Sequence, residues 1–278
     1  MNSSAIRATE DAAARRTARP GGPCFIALEA PTSPLARSRK QRHGTELVCE
    51  KVFRPLAHPL VLLFARLRVP PPLVVVAAGG VGLAAAVELG RGSLLAAALL
   101  VQLKTLLDNA DGQLARLTGR TSAFGRYLDS EVDLLVNAAL FAALAWTATQ
   151  PALALAGFLA LTSVLSLNFN AERLSRTASA EPEAEGRGTA LLRRIYGLVY
   201  APQDRLAESL VARRPALTSP AAVSLLANLG MSTQLAAFGL LMALGYPLAF
   251  AWVALAEAVV IAIALLPRRA PRTQEEIA

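Results

Sequence analysis

Beyond residue 70 the chain reads as a series of apolar blocks separated by short polar stretches. The first block runs from about Leu73 to Leu89. The second starts near Leu94, stays apolar to Leu107 and continues in helical pattern to about Leu117. The third starts near Phe124 and is fully apolar from Leu134 to Ala148. The fourth covers Ala152–Leu167, the fifth Pro220–Leu244 and the sixth Pro247–Leu266. A bilayer crossing takes about 20 residues of helix, so the second, third and fourth blocks look short. In the second and third, aspartates occupy the missing length. Such ends need not face lipid; they can line a wet cavity at membrane depth. The pattern predicts an all-α integral membrane bundle of six transmembrane helices over residues 70–267.

Upstream, Phe53, Leu56, Leu60, Leu63, Phe64 and Leu67 recur at a helical period within Glu50–Arg68, with Lys51, Arg54, Arg66 and Arg68 elsewhere on the turn. This predicts an amphipathic helix over 49–69, lying in the membrane interface with its cations toward headgroups. Pro55 and Pro59 should disturb its early turns, and Pro70–Pro72 stop it. Residues 1–48 mix Arg, Ser, Pro, Gly and Ala without period and predict a disordered cytosolic tail. No apolar run follows Arg15 and Arg16, which argues against a secretory signal there. The longest polar insertion is a cytosolic loop over 168–218. Its middle, Thr177–Gly188, looks mobile, and Leu191–Arg214 regains a helical pattern. A second tail covers 268–278.

Charge orients the bundle. The chain carries a formal net charge of +8 but only 17% charged residues, against about 25% in soluble domains. Arg116, Arg120, Arg126, the 168–218 loop and Arg268, Arg269 and Arg272 all fall on the side of the two termini. The opposite side has only Arg91. The positive-inside rule therefore predicts a multi-pass protein of the cell membrane, with both termini and the aspartates cytosolic. Trp146 and Tyr246 fall near the outer ends of spans, as interfacial aromatics do. Zinc-finger spacing and aromatic-studded basic stretches are missing, so nucleic acid is not an expected partner. Two cysteines, Cys24 and Cys49, are too few for a disulfide framework and read as reduced thiols.

One stretch carries chemistry: Asp108-Asn-Ala-Asp111-Gly112-Gln-Leu-Ala115-Arg116, then eight residues, then Gly125-Arg-Tyr-Leu-Asp129-Ser-Glu-Val-Asp133. Asp108 and Asp111 stand three apart and share a helix face, as do Asp129 and Asp133, four apart. The turn between them joins two antiparallel helices, so four carboxylates can converge. Packed together they repel, and bound cations resolve the conflict. Oxygen-only ligation suits Mg2+ or Mn2+. Two such ions can clamp the attacking and leaving oxygens of a phosphoryl displacement. Gly112 and Ala115 leave room beside the carboxylate face. Gly125 permits close backbone approach, and Arg116 suits phosphate oxygens. Lys104, one turn before Asp108, could touch a diphosphate, neutralise Asp108 or snorkel.

The stretch resembles the signature of the CDP-alcohol phosphotransferase family, D-x2-D-G-x2-A-R-x8-G-x3-D-x3-D, at all of its fixed positions. The six-span layout and the interfacial helix resemble the family too. That resemblance implies roles. Asp108, Asp111 and Asp129 hold two metal ions, with Asp133 near the second ion and acting as general base. Gly112, Ala115 and Arg116 line the cytidine-diphosphate pocket, with Gly125 at its edge. The donor is CDP-diacylglycerol or another CDP-alcohol, the acceptor is a small alcohol or a lipid, and CMP leaves. The resemblance further implies a homodimer among membrane lipids.

Intramembrane carboxylates also suit a transporter or ion pathway, the alternative reading. A membrane prenyltransferase would place its aspartates in two separated hairpins, whereas here there is one cluster. His43 and His58 lack any partner pattern, Glu131 lies off the Asp129/Asp133 face, and Glu88 with Arg91 caps an outer turn. Asn228 and Gln234 in the fifth block and Glu257 in the sixth are costly in lipid and should face the bundle interior. An acceptor pocket is expected among Arg173, Arg176, Asn228 and Glu257, near Asn168. The last two blocks offer no Lys or Arg, which weakens an inositol-phosphate acceptor and leaves glycerol phosphate, a neutral polyol, an amino alcohol or a lipid open.

Overall fold

Prolines and left-handed residues set the helix boundaries. The computed structural model describes residues 33, 34, 38, 44–175 and 187–265. A π-helical turn at Cys49–Phe53 leads into α1 (Arg54–Arg66). Pro55 is the second residue of α1, directly after the π-turn, and Pro59 lies inside the helix. Arg68, at φ 55, turns the chain away. Pro71 then opens α2 (Pro71–Gly90), and Gly92 at φ 80 leads to α3 (Leu94–Leu117). Gly119 at φ 65 begins the turn to α4 (Ala123–Ala148), which Ser122 caps by accepting from the Gly125 N–H at 3.1 Å. Thr149 ends α4 in the left-handed region and Pro151 opens α5 (Pro151–Ser175). The chain continues as α6 (Arg187–Val199), α7 (Ala201–Arg213), a short 3₁₀ turn at Pro215–Thr218, α8 (Pro220–Ala227), α9 (Met231–Ala243) and α10 (Ala249–Ala264). No strand occurs among the described residues.

Helices stand at each of the six apolar blocks. Four stretches, α2, α4, α5 and Pro220–Ala243, are long and apolar enough to cross a membrane. The sixth helix, α10, has 16 residues, and α3 carries Lys104, Asp108 and Asp111 in its second half. The chain is thus a multi-pass helical membrane bundle. α5 runs past its expected end at Leu167 to Ser175, and much of the expected 168–218 loop is the helix pair α6–α7. The segment expected as an amphipathic helix over 49–69 forms the π-turn and α1. Most of the 1–48 tail, the 268–278 tail and Thr177–Glu185 lie outside the described residues.

The fifth block differs most. Instead of one helix over Pro220–Leu244, it breaks at Asn228–Gly230 between α8 and α9. The break is held by the N-terminal segment. Asn228 donates to the Thr45 carbonyl and accepts from the Leu47 N–H, both at 2.9 Å. Gly230 admits that segment, because a Cβ there would sit 3.1 Å from the Glu46 carboxyl and 2.8 Å from the Ala227 carbonyl.

Packing places the aspartate helices at the centre. α2 lies against both α3 and α4. It approaches α4 through small residues: a Cβ on Gly82 would fall 2.6 Å from Val136 Cγ1, and one on Gly79 would fall 2.7 Å from Val132 Cγ1. Such close approach is how helices associate where lipid supplies no hydrophobic drive. α1 packs on α3 through Ala57 and Val61 against Ala110 and Leu114. Farther from the aspartates, Phe141, Phe158, Phe238 and Phe250 join α4, α5, α9 and α10, the last two stacked with centroids 4.4 Å apart. Beside α5, Asp204 of α7 accepts from Ser166 (2.6 Å), Asn170 (3.0 Å) and Tyr196 (2.8 Å), tying α7 and α6 to α5.

Candidate metal and substrate site

The short turn Thr118–Ser122 joins α3 to α4, and with α2 packed against both, the end of α3 and the start of α4 face one another across a cavity. Helical spacing then aims Asp108 and Asp111 from one helix, and Asp129 and Asp133 from the other, into the same space. One carboxylate oxygen from each of Asp108, Asp129 and Asp133 lies within 4.8 Å of the others. Asp111 is not in that close group. It is buried beside it, one oxygen accepting from the Gly112 N–H at 2.5 Å. Ligand oxygens on one octahedral Mg2+ sit about 3 to about 4.2 Å apart, given bonds of about 2.1 Å. The three-carboxylate set therefore needs only small side-chain adjustment to hold a hard divalent cation.

All eight fixed positions of the signature line one cavity of about 580 Å3. Gly112 leaves space that the Arg116 guanidinium fills: a Cβ at 112 would stand 3.3 Å from Arg116 Nη1. Arg116 Nε donates to the Ser38 carbonyl at 2.7 Å. Gly125 lies in the first turn of α4 against the capping Ser122 hydroxyl. Arg120 and Arg126, noted in the sequence only for orientation, reach the same cavity from the turn and from α4. Lys104 is buried and forms ion pairs with Asp108, at 3.1 Å, and with Asp133.

The expected acceptor residues are not brought together. Arg173 pairs with Glu208 of α7, Asn228 holds the helix break, and Glu257 accepts from Gln234 at 2.5 Å. None of these three lines the cavity, although Asn168 and Glu172 of α5 do. Arg176 lies outside the described residues.

Sequence reasoning missed Asn109, Ser232 and the part played by Cys49. Asn109 donates to Ser232 Oγ at 3.1 Å and accepts from Cys49 Sγ at 2.9 Å, joining α3, α9 and the π-turn at the cavity wall. Asn109 stands at a variable position of the signature, and Ser232 is a small polar residue in an apolar block. The only available signal was that each is polar at membrane depth. Outside the spans, the Tyr200 phenol donates to the Ser130 carbonyl at 3.1 Å. Burial, and then the negative charge of Asp133, hold that phenol above its usual range, so the α6–α7 junction lies within the field of the site.

The helical membrane bundle thus gathers carboxylates from α3 and α4 in one polar cavity, a donor set that could hold a metal ion. The chain belongs to the CDP-alcohol phosphatidyltransferase family, whose sequence model matches residues 56–265. It is similar to the bifunctional IPC transferase and DIPP synthase of Thermococcus kodakarensis, 39% identical over 82 residues, covering 29% of this chain and 19% of that one. A phosphatidylinositol phosphate synthase of Corynebacterium glutamicum is 33% identical over 92 residues, 33% of this chain and 42% of that one. An archaetidylinositol phosphate synthase of Aeropyrum pernix is 35% identical over 99 residues, 35% of this chain and 51% of that one. The matches thus span from about a fifth to about half the length of these relatives.

Proposed function

We propose that this protein is a metal-dependent phosphotransferase that moves a substituted phosphate, phosphatidyl from CDP-diacylglycerol, onto an alcohol and releases CMP. The observation that carries the reading is that Asp108, Asp129 and Asp133 converge within 4.8 Å in a cavity lined by every fixed position of the family signature. Asp108, Asp111, Asp129 and Asp133 would hold two Mg2+ or Mn2+ ions. Bound there, the ions supply the positive charge that steadies the attacking and leaving oxygens of an in-line displacement. Arg116 orients the diphosphate by hydrogen bonds to its oxygens, and the small residues Gly112 and Ala115 make room for the cytidine. Asp133 takes the acceptor's hydroxyl proton. The acceptor oxygen bonds to the β-phosphorus, the bond to the CMP oxygen breaks, and CMP departs.

The acceptor is a hydroxyl compound that itself bears a phosphate. Arg120 and Arg126 on the cavity support this, as do the relatives named phosphatidylinositol phosphate synthase and archaetidylinositol phosphate synthase. The last two spans carry no Lys or Arg and Arg173 pairs with Glu208, but Arg120 and Arg126 come from the turn and from α4. A CMP-release assay with CDP-diacylglycerol and a panel of acceptors tests it. Inositol phosphate or glycerol phosphate should be used in preference to free inositol. The preference should fall when Arg120 and Arg126 are changed to Ala. Equal use of unphosphorylated polyols would overturn the acceptor class and leave the donor reading standing.

A further inference from the structure

Lys104 is not among the fixed positions of the signature, yet among the described residues no charged side chain is more enclosed: it is 1% exposed. Its stem belongs to α3, one turn before Asp108, and its ammonium meets oxygens of both Asp108 and Asp133. These are two of the three carboxylates that gather closely enough for a cation. An ammonium taken out of water without partners is strongly disfavoured, and carboxylates crowded together repel one another. Each side of this arrangement cancels the other's penalty. The stem is packed in the bundle, so the charge cannot swing into bulk water as a surface lysine would.

We infer that Lys104 is an internal counter-ion of the carboxylate centre. Its ammonium bridges Asp108 and Asp133, and a divalent cation binding at these carboxylates competes with it for their oxygens. The inference rests on the metal reading proposed above. Two consequences follow from charge alone. Without Lys104 the metal-free centre loses its only close cation among the described ion pairs, so the empty bundle should melt at lower temperature. Without Lys104 the metal also faces no resident positive charge, so it should bind more tightly. A lysine that merely shaped the ligands would give the opposite sign, since removing it would weaken metal binding.

The test uses the full chain in nanodiscs, with Mn2+ binding read from the free-ion EPR signal and melting followed with and without Mn2+. Lys104→Met and the hydrogen-bonding Lys104→Gln are compared with the unmodified protein. Both variants should bind Mn2+ at least about tenfold more tightly, the order expected for removing a unit charge a few ångströms from a divalent ion. Both should melt lower when metal-free, with the deficit shrinking in Mn2+. Should Lys104→Met fold only in Mn2+, competition against a chelator reads the same affinity. Unchanged or weaker binding by both variants overturns the inference, as does misfolding of both even in Mn2+. A folded, unmodified protein that binds no Mn2+ overturns the metal reading itself, and this inference with it. Binding by the unmodified protein without a gain in the variants removes this inference alone.

Discussion

Asp133 and Asp108 face the same cavity from different helices, and the proposed chemistry asks different things of them. Asp133→Asn keeps the shape and one oxygen but cannot take the acceptor proton. Loss of a general base costs typically about 10²–10⁴-fold in rate. The Asp133→Asn protein should therefore fold, bind the CDP-linked donor with Mg2+ or Mn2+, and turn over at least about a hundredfold more slowly. Asp108→Asn should lose donor binding as well. Near-normal turnover by Asp133→Asn, measured beside donor binding in the same preparation, would remove the base assignment. These aspartates were legible because carboxylates at helical spacing inside apolar blocks have no cheap structural explanation. Asn109 and Ser232 were not, since their roles depend on one helix meeting another. For Asn228 and Glu257, burial cost showed that partners must exist. It could not show that those partners are Thr45, Leu47 and Gln234 rather than a substrate.

At the scale of elements, apolar block length and proline position marked the helices, because Pro71, Pro151 and Pro220 each open one. The break between α8 and α9 could not be read locally. It is fixed by hydrogen bonds to residues more than 180 positions earlier in the chain. Close helix packing was equally hidden, since a glycine in an apolar block can face lipid or a neighbouring helix. Gly80 and Gly82 now separate those cases. A side chain at Gly82 would run into Val136, whereas a Cβ at Gly80 meets nothing within 4 Å. Overpacking a tight contact typically costs about 1–3 kcal/mol. Gly82→Leu should lower the melting temperature in detergent and reduce activity by shifting α4, which carries Asp129 and Asp133. Gly80→Leu should do neither. Equal tolerance of both would mean that the α2–α4 contact does not set the position of the site.

Across the whole molecule, the site's end of the α3–α4 hairpin also carries Arg116, Arg120 and Arg126. The exposed Trp146 and Tyr246 lie at the remote end of α4 and in the α9–α10 turn. Six crossings with both termini and the site cytosolic fit this distribution. A cysteine placed at Gln150 should then react with an impermeant reagent from outside the cell only, and labelling from the cytosol alone would overturn the topology. The orientation rests on charge asymmetry, which that labelling tests. Acceptor choice was not legible in the sequence, because it depends on which arginines reach one cavity. The central claim, metal-dependent transfer from a CDP-linked lipid, is met most directly by following CMP release from CDP-diacylglycerol by the purified, unmodified protein with an inositol phosphate acceptor. Activity should vanish with chelator and return with Mg2+ or Mn2+. CMP release that proceeds undiminished in chelator would contradict the account.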